Sequence, residues 1–303
     1  MLTVCNYHYI RENFKASYPS IFGVTPNLFE EQLILLKKTG TFIHPNNLIN
    51  DSEEILKSEQ NFILITFDDG LKEQFELALP TLDKLEIPAL FFINSMNHLE
   101  KKVSLVHKTH LVRSVICSEV LYENLENYTN RKLSHKEVLA AHQFYRFDSQ
   151  KNAELKYFLN VLLNFDTQEK FINAIFTVHF NESEVLEKLY MNIGQIQQLT
   201  KIGFVGSHTH SHLPLGIYDE QTITDELEIT KKYLENLGDV TIDFVAYPYG
   251  TKEAATGKVG KLAREVGYKL GFTTKPGLNN GSDNPLLLNR FDCNDLIGGK
   301  NYK

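Results

Sequence analysis

The sequence predicts an α/β fold, a (β/α) TIM-like barrel of parallel strands interrupted by a helical insertion. Three observations carry this. Short apolar runs rich in β-branched and aromatic residues, Phe62–Phe67 and Ile87–Ile93 among them, read as strands buried on both faces, as parallel sheets require. Helical spacing of apolar residues fills the stretches between such runs. The chain of 303 residues holds roughly six to eight of these strand–helix units, too many for a small doubly wound sheet and suited to a barrel.

Composition narrows the function. Hydrophobic residues make up 42% and charged residues 23%, an ordinary core-forming mixture. The formal net charge of -7 argues against a nucleic-acid partner. Cys5, Cys117 and Cys293 are far apart and show no CxxC spacing, which fits neither a disulfide framework nor a thiolate zinc site and suits a reducing compartment. Residues 1–10 lack the basic segment and apolar stretch of a signal peptide. No apolar run reaches the ~18 residues of a membrane helix, so a cytoplasmic protein with no membrane span is expected.

The elements follow in order. Residues 2–7 form a strand candidate ending at Tyr7-His8. Thr25 as N-cap and Pro26 at the first helical position open a helix carrying Phe29, Leu33 and Leu36, with Gly40 as its stop. A short strand near 41–43 and a charged helical piece precede Phe62–Phe67, which runs into Asp68-Asp69-Gly70. The next helix carries Phe75, Leu79 and Leu82 and leads to the apolar strand at 87–93. From about 97 to 200 the cadence stops, and periodic sets such as Leu155, Leu159, Leu162 and Phe171, Ile175 indicate helices. No Pro/Gly-rich linker flanks this stretch, which therefore reads as an insertion in one domain spanning 1–303. Its histidines, His107, His110, His135, His142 and His179, have no partner at ligand spacing and are expected to serve packing or the surface.

Strand logic resumes at Gly203–Gly206 and enters Ser207-His208-Thr209-His210-Ser211-His212. A helix with Thr224 as N-cap and Gly238 as stop follows, then a strand at 241–246 ending at Tyr247-Pro248-Tyr249-Gly250. A helix at 258–266 stops at Gly267, a strand spans 268–273, and a last strand at 286–291 carries Arg290.

The chemically suggestive residues all follow predicted strands, and a parallel barrel gathers such positions on one face. Asp68 and Asp69 repel each other, and a strand would point them to opposite faces. Bringing both to one site needs a bend, which Gly70 permits, and a cation. If the chain turns after His208, the pair most able to converge is His208 with His212. Two histidines and one carboxylate with open positions suit hydrolytic zinc and also non-haem iron(II) oxygen chemistry. The second aspartate favours hydrolysis, which needs a carboxylate held off the metal to take a proton from water.

Thr66-Phe67-Asp68-Asp69-Gly70 and His208-Thr209-x-x-His212 resemble the first two motifs of the polysaccharide deacetylases, the NodB-homology domain of carbohydrate esterase family 4. The resemblance implies a distorted barrel of about seven strands and metal-dependent removal of an N-acyl group, usually acetyl, from an amino sugar. It makes Asp68 the general base and Asp69, His208 and His212 the ligands of a divalent metal, foremost Zn2+, with Co2+, Ni2+ or Fe2+ as alternatives. Thr209 would brace the loop, and His210 falls on a variable position. The family's Arg-x-Pro-Tyr motif aligns with Ala246-Tyr247-Pro248-Tyr249. The arginine is missing, Tyr249 keeps the role of supplying an oxyanion-binding amide, and Arg290 is the candidate to stand beside Asp68.

The C-terminal Leu-x-His motif is absent. Tyr7-His8 instead resembles the poly-N-acetylglucosamine deacetylase branch, with its permuted motif order, and that makes His8 the general acid. The branch's fourth-motif Asp and Trp are not evident, which leaves open what orients His8. The implied partner is an N-acylated amino sugar, as an oligosaccharide or a lipid-linked or nucleotide-linked precursor of surface polysaccharide. A deacylase of a non-sugar linear or cyclic amide, or a catalytically silent carbohydrate-binding relative, are the other readings.

Overall fold

The computed structural model describes residues 1–302, and every strand-to-strand pairing in it is parallel. The strands are β1 (Leu2–Tyr7), β2 (Thr41–Phe42), β3 (Phe62–Phe67), β4 (Ala89–Ile93), β5 (Val205–Ser207), β6 (Phe244–Ala246), β7 (Leu270–Phe272) and β8 (Phe291–Asp292). Their order is β7-β6-β5-β4-β3-β1-β8, with β2 attached to β3. β2 pairs with the start of β3 and β4 with its end, so the two share one edge. A bridge between Leu288 and Phe272 joins the segment leading into β8 to β7, while β8 itself pairs with β1. The strand path thus returns to its beginning as a distorted barrel, the fold class the sequence predicts.

Side-chain parity divides the core. Val4, Leu64, Leu90, Phe92, Phe244, Ala246, Phe272 and Leu288 pack together with few helical residues, which places them on the inner face. The alternate residues Cys5, Ile63, Ile65, Phe67, Phe91 and Ile93 pack with Phe29, Leu33, Leu82, Ile196 and Leu227 of the surrounding helices. By the same parity Asn6, Thr66, Asp68 and Arg290 belong to the inner face. The apolar runs therefore supply two cores, and the polar residues that continue them sit at the barrel mouth.

The helix Pro26–Leu36 starts as predicted, with Thr25 accepting from the Leu28 N–H, but Lys37 rather than Gly40 caps its end. Gly267, at φ 98, caps the helix Gly257–Val266 in the left-handed conformation glycine tolerates. Other boundaries shift. The helix Glu220–Gly238 is capped by Asp219, whose carboxylate accepts from Thr222 N–H at 2.9 Å, and Thr224 lies inside it. Two later strands are shorter than expected, Phe244–Ala246 and Leu270–Phe272, and the last is Phe291–Asp292, so Arg290 precedes it rather than lying on it. After β3 the chain makes a π-helical turn, Gln74–Ala78, before the α-helix Leu79–Leu85.

The chain divides into two compact units. One comprises Met1–Asn13, Gly23–Lys102 and the chain from Leu186 onward, and holds all eight strands. The other comprises Phe14–Phe22 and Val103–Val185 and is helical, with Leu121, Leu125, Leu155, Phe158, Phe171 and Phe176 buried in its core. Of its histidines, His107 is buried and His142 pairs with Glu154 at 3.1 Å. No helix among the described residues is long and apolar enough to cross a membrane.

Candidate active site

Asp68 follows β3 and points inward, where an uncompensated carboxylate would be costly. Arg290, also fully buried, meets it with a two-pronged ion pair: Nη1 to Oδ1 and Nη2 to Oδ2, each 2.7 Å. The Arg290 Nε donates to the Thr273 carbonyl at 2.8 Å, fixing the plane of the guanidinium. Asn6 closes the arrangement, accepting from Arg290 Nη1 and donating to Asp68 Oδ2, both at 3.2 Å. Burial alone would raise the Asp68 pKa, but the charge and hydrogen bonds of Arg290, with His208 and His8 adding to them whenever they are protonated, bring it down to about 2.

His8 follows β1, with Nε2 3.8 Å from Asp68 Oδ2 and a side chain 38% exposed. The buried Gln74 amide ties the two strand ends together by donating to the carbonyls of His8 (2.9 Å) and Asp68 (2.6 Å). The π-helical turn places Gln74 at that junction.

Asp69 turns the other way. Its φ is 76 and that of Gly70 is 61, so two consecutive left-handed residues make the bend. Asp69 Oδ1 lies 3.5 Å from His208 Nε2 and 3.2 Å from His212 Nε2, and the three buried ligand atoms all fall within 4.8 Å of one another. The His208 Nδ1 is 2.8 Å from the Ala246 carbonyl. A carbonyl only accepts, so Nδ1 carries the hydrogen and Nε2, in the neutral ring, turns a lone pair toward a carboxylate oxygen. Two acceptors so placed call for a cation between them. Ligands about 2 Å from a tetrahedral zinc ion lie about 3.3 Å apart. The separations at Asp69 match, and the residues fit a divalent metal.

The loop between the two histidines is strained, with Thr209 and His212 both at φ 62. Thr209 does not brace it as expected: its hydroxyl has no hydrogen-bond partner among the described residues. His210 faces away from the ligand atoms, toward Ser95 and Glu100. Tyr249, also at φ 62, sets its ring edge-on to that of His212 with centroids 5.1 Å apart.

The family profile described as polysaccharide deacetylase matches residues 56–120 and 147–271, well over half of the sequence. The chain belongs to the polysaccharide deacetylase family. Among solved structures this family member resembles the Streptococcus pyogenes deacetylase PplD in complex with acetate, at 18% identity and TM-score 0.58 over 96% of this chain and 91% of that one. It also resembles IcaB from Ammonifex degensii (18% identity, TM-score 0.55, 96% and 90% coverage). The BpsB deacetylase domain from Bordetella bronchiseptica is similar at 17% identity and TM-score 0.55, with 96% and 95% covered. At these identities the likeness concerns the fold. No curated protein matches the chain.

Within the candidate site, Asp68, Arg290 and His8 come together, as do Asp69, His208, His212 and Tyr249. Asn6 and Gln74 escape sequence reasoning. Asn6 carried one available signal, a polar residue interrupting the inward face of an otherwise apolar strand.

Proposed function

We propose that the protein is a metal-dependent hydrolase that removes an N-acetyl or other N-acyl group from an amino sugar. The observation that carries this reading is the opposite disposition of two adjacent carboxylates. Asp68 lies in the fork of Arg290, while Asp69 turns toward two histidine nitrogens.

Asp69, His208 and His212 would hold the metal, Zn2+ by donor set, with Co2+, Ni2+ or Fe2+ as substitutes. A bound divalent ion lowers the pKa of water and polarises a carbonyl oxygen. Asp68 takes the proton from the attacking water. Arg290 and Asn6 hold its carboxylate in one orientation, so the lone pair that receives the proton keeps a fixed direction. The Tyr249 N–H donates to the carbonyl oxygen as it gains negative charge. His8 protonates the amine nitrogen as the C–N bond breaks, and the products are a free amine and a carboxylate. Gln74 fixes the register of base and acid through their backbone carbonyls.

Tyr7-His8 and Tyr247-Pro248-Tyr249-Gly250 support placement in the poly-N-acetylglucosamine deacetylase branch, with oligosaccharides or lipid- or nucleotide-linked precursors of surface polysaccharide as substrates. The helical stretch is read as an insertion within one deacetylase domain. The test is acetate release from N-acetylated oligosaccharides and sugar donors. Release should vanish with a chelator and return with Zn2+. Cleavage of simple amides with none of the sugars would overturn the substrate class.

A further inference from the structure

The ligand loop adopts a conformation its own sequence disfavours. Left-handed backbone is unfavourable at a residue with a side chain, and the loop carries it at both Thr209 and His212. Such a shape persists only if its surroundings impose it. We propose that His210 and Ser211, two loop residues that do not serve as ligands, are positioning residues that hold His208 and His212 ready for the metal. The proposal rests on the ligand assignment made above.

The contacts are complete on the side away from the ligand atoms. His210 Nε2 lies 2.8 Å from Glu100 Oε1, and His210 Nδ1 lies 2.8 Å from Ser95 Oγ, which in turn is 2.6 Å from Thr230 Oγ1. The carboxylate can only accept, so Nε2 carries the hydrogen; when the ring is neutral, Nδ1 accepts from Ser95 and Ser95 accepts from Thr230. Every hydrogen in this chain of bonds then runs one way, from the helix Glu220–Gly238 through the loop to Glu100. A serine, a histidine and a carboxylate so linked have the composition of a nucleophilic triad. Ser95 is 0% exposed, however, and no substrate reaches its hydroxyl. The arrangement acts as a strut.

Ser211 makes a second anchor, with its N–H donating to Glu226 Oε2 at 2.8 Å and its hydroxyl bonded to Glu226 Oε1. The backbone is gripped as well. His210 N–H donates to the Glu226 carbonyl at 3.0 Å, Met96 N–H donates to the His210 carbonyl at 3.0 Å, and the buried Asn94 amide donates to the carbonyls of His208 and Thr209. The bracing expected of the Thr209 hydroxyl is supplied by its neighbours.

The test is Zn2+ affinity by chelator competition, together with the melting temperature of each protein with and without zinc. His210→Ala should weaken Zn2+ binding at least about tenfold, as loss of a partner that orients a ligand does elsewhere, and His210→Gln should restore part of it. The gap between zinc-loaded and zinc-free melting temperatures should narrow, because affinity sets that gap. A merely structural histidine would lower both temperatures together and leave the affinity alone. Ser95→Ala, which removes one hydroxyl, should weaken binding about fivefold and serves if His210→Ala does not fold. Wild-type affinity in either folded variant overturns the proposal. His208→Ala separates the two ideas: if it binds zinc like wild type, the ligand assignment itself falls; if it loses zinc while His210→Ala does not, only the strut falls.

Discussion

On the Asp68 side of the site, order comes from charge. Asn6, Asp68 and Arg290 continue strands or strand-like chain with negative φ, and a buried ion pair with a bridging amide locks them. On the Asp69 side, order comes from the backbone. Asp69, Gly70, Thr209, His212 and Tyr249 all lie in the left-handed region, and their side chains make few direct bonds with one another. The two halves should therefore fail in different ways. Loss of a charged partner should wreck the first half and leave the ligands in place; loss of a ligand should empty the second and leave the base in its fork.

The largest expected effects separate the halves directly. Asp68→Asn should reduce kcat by about 10²–10⁴ and retain zinc, whereas His208→Ala should lose both zinc and activity; elemental analysis beside acetate release reads the contrast. Wild-type turnover in Asp68→Asn would end its assignment as base. Next is Arg290→Met, which strands the Asp68 carboxylate in the barrel and should cost about 3–5 kcal/mol in urea denaturation. A cost below 1 kcal/mol would mean that the ion pair does not hold this half together.

Acid should act on the charged half at a defined pH. The Asp68 pKa is about 2 in the folded protein against an ordinary 3.8. A depressed carboxylate stabilises the fold above its unfolded pKa, and the contribution fades as pH falls from about 4 toward 2. It amounts to about 2 kcal/mol. Acid denaturation of metal-free wild type and Asp68→Asn should show this pH-dependent segment in the first and not in the second. The smallest effect is expected from Tyr249→Phe, which keeps the backbone amide, and kcat should stay within about twofold. A larger loss would give the phenol a role of its own.

The charged half was more legible in the sequence than the joints that hold it. The apolar run Phe62–Phe67 announced a buried strand, the two aspartates marked its end, and the missing arginine at Ala246 directed attention to Arg290. The structure supplies a physical reason for that substitution. Ala246 and Arg290 both have inner-face parity, so an arginine reached from another strand can stand over the same carboxylate. Asn6 and Gln74 were hidden because a single amide has no periodicity and acquires meaning only once β1 lies against β3. His210 was legible as the misfit of its triplet, but its partners Ser95, Glu100 and Thr230 come from two other elements. Thr224 was mistaken for a cap because a threonine ahead of an apolar run reads as one, whereas the helix already starts at Glu220 behind the Asp219 cap.

The Arg290–Asp68 pair is separated by 222 of the chain's 303 residues. Synthesis delivers β1, β3 and Asp68 early and their counter-charge near the end. Until Arg290 arrives, closing the barrel would bury a lone carboxylate, a cost that its counter-charge offsets. The arginine proposed to orient the base thus also supplies the counter-charge that the closed barrel needs. A nascent chain that stops before Arg290 lacks the partner that meets Asp68 in the folded protein.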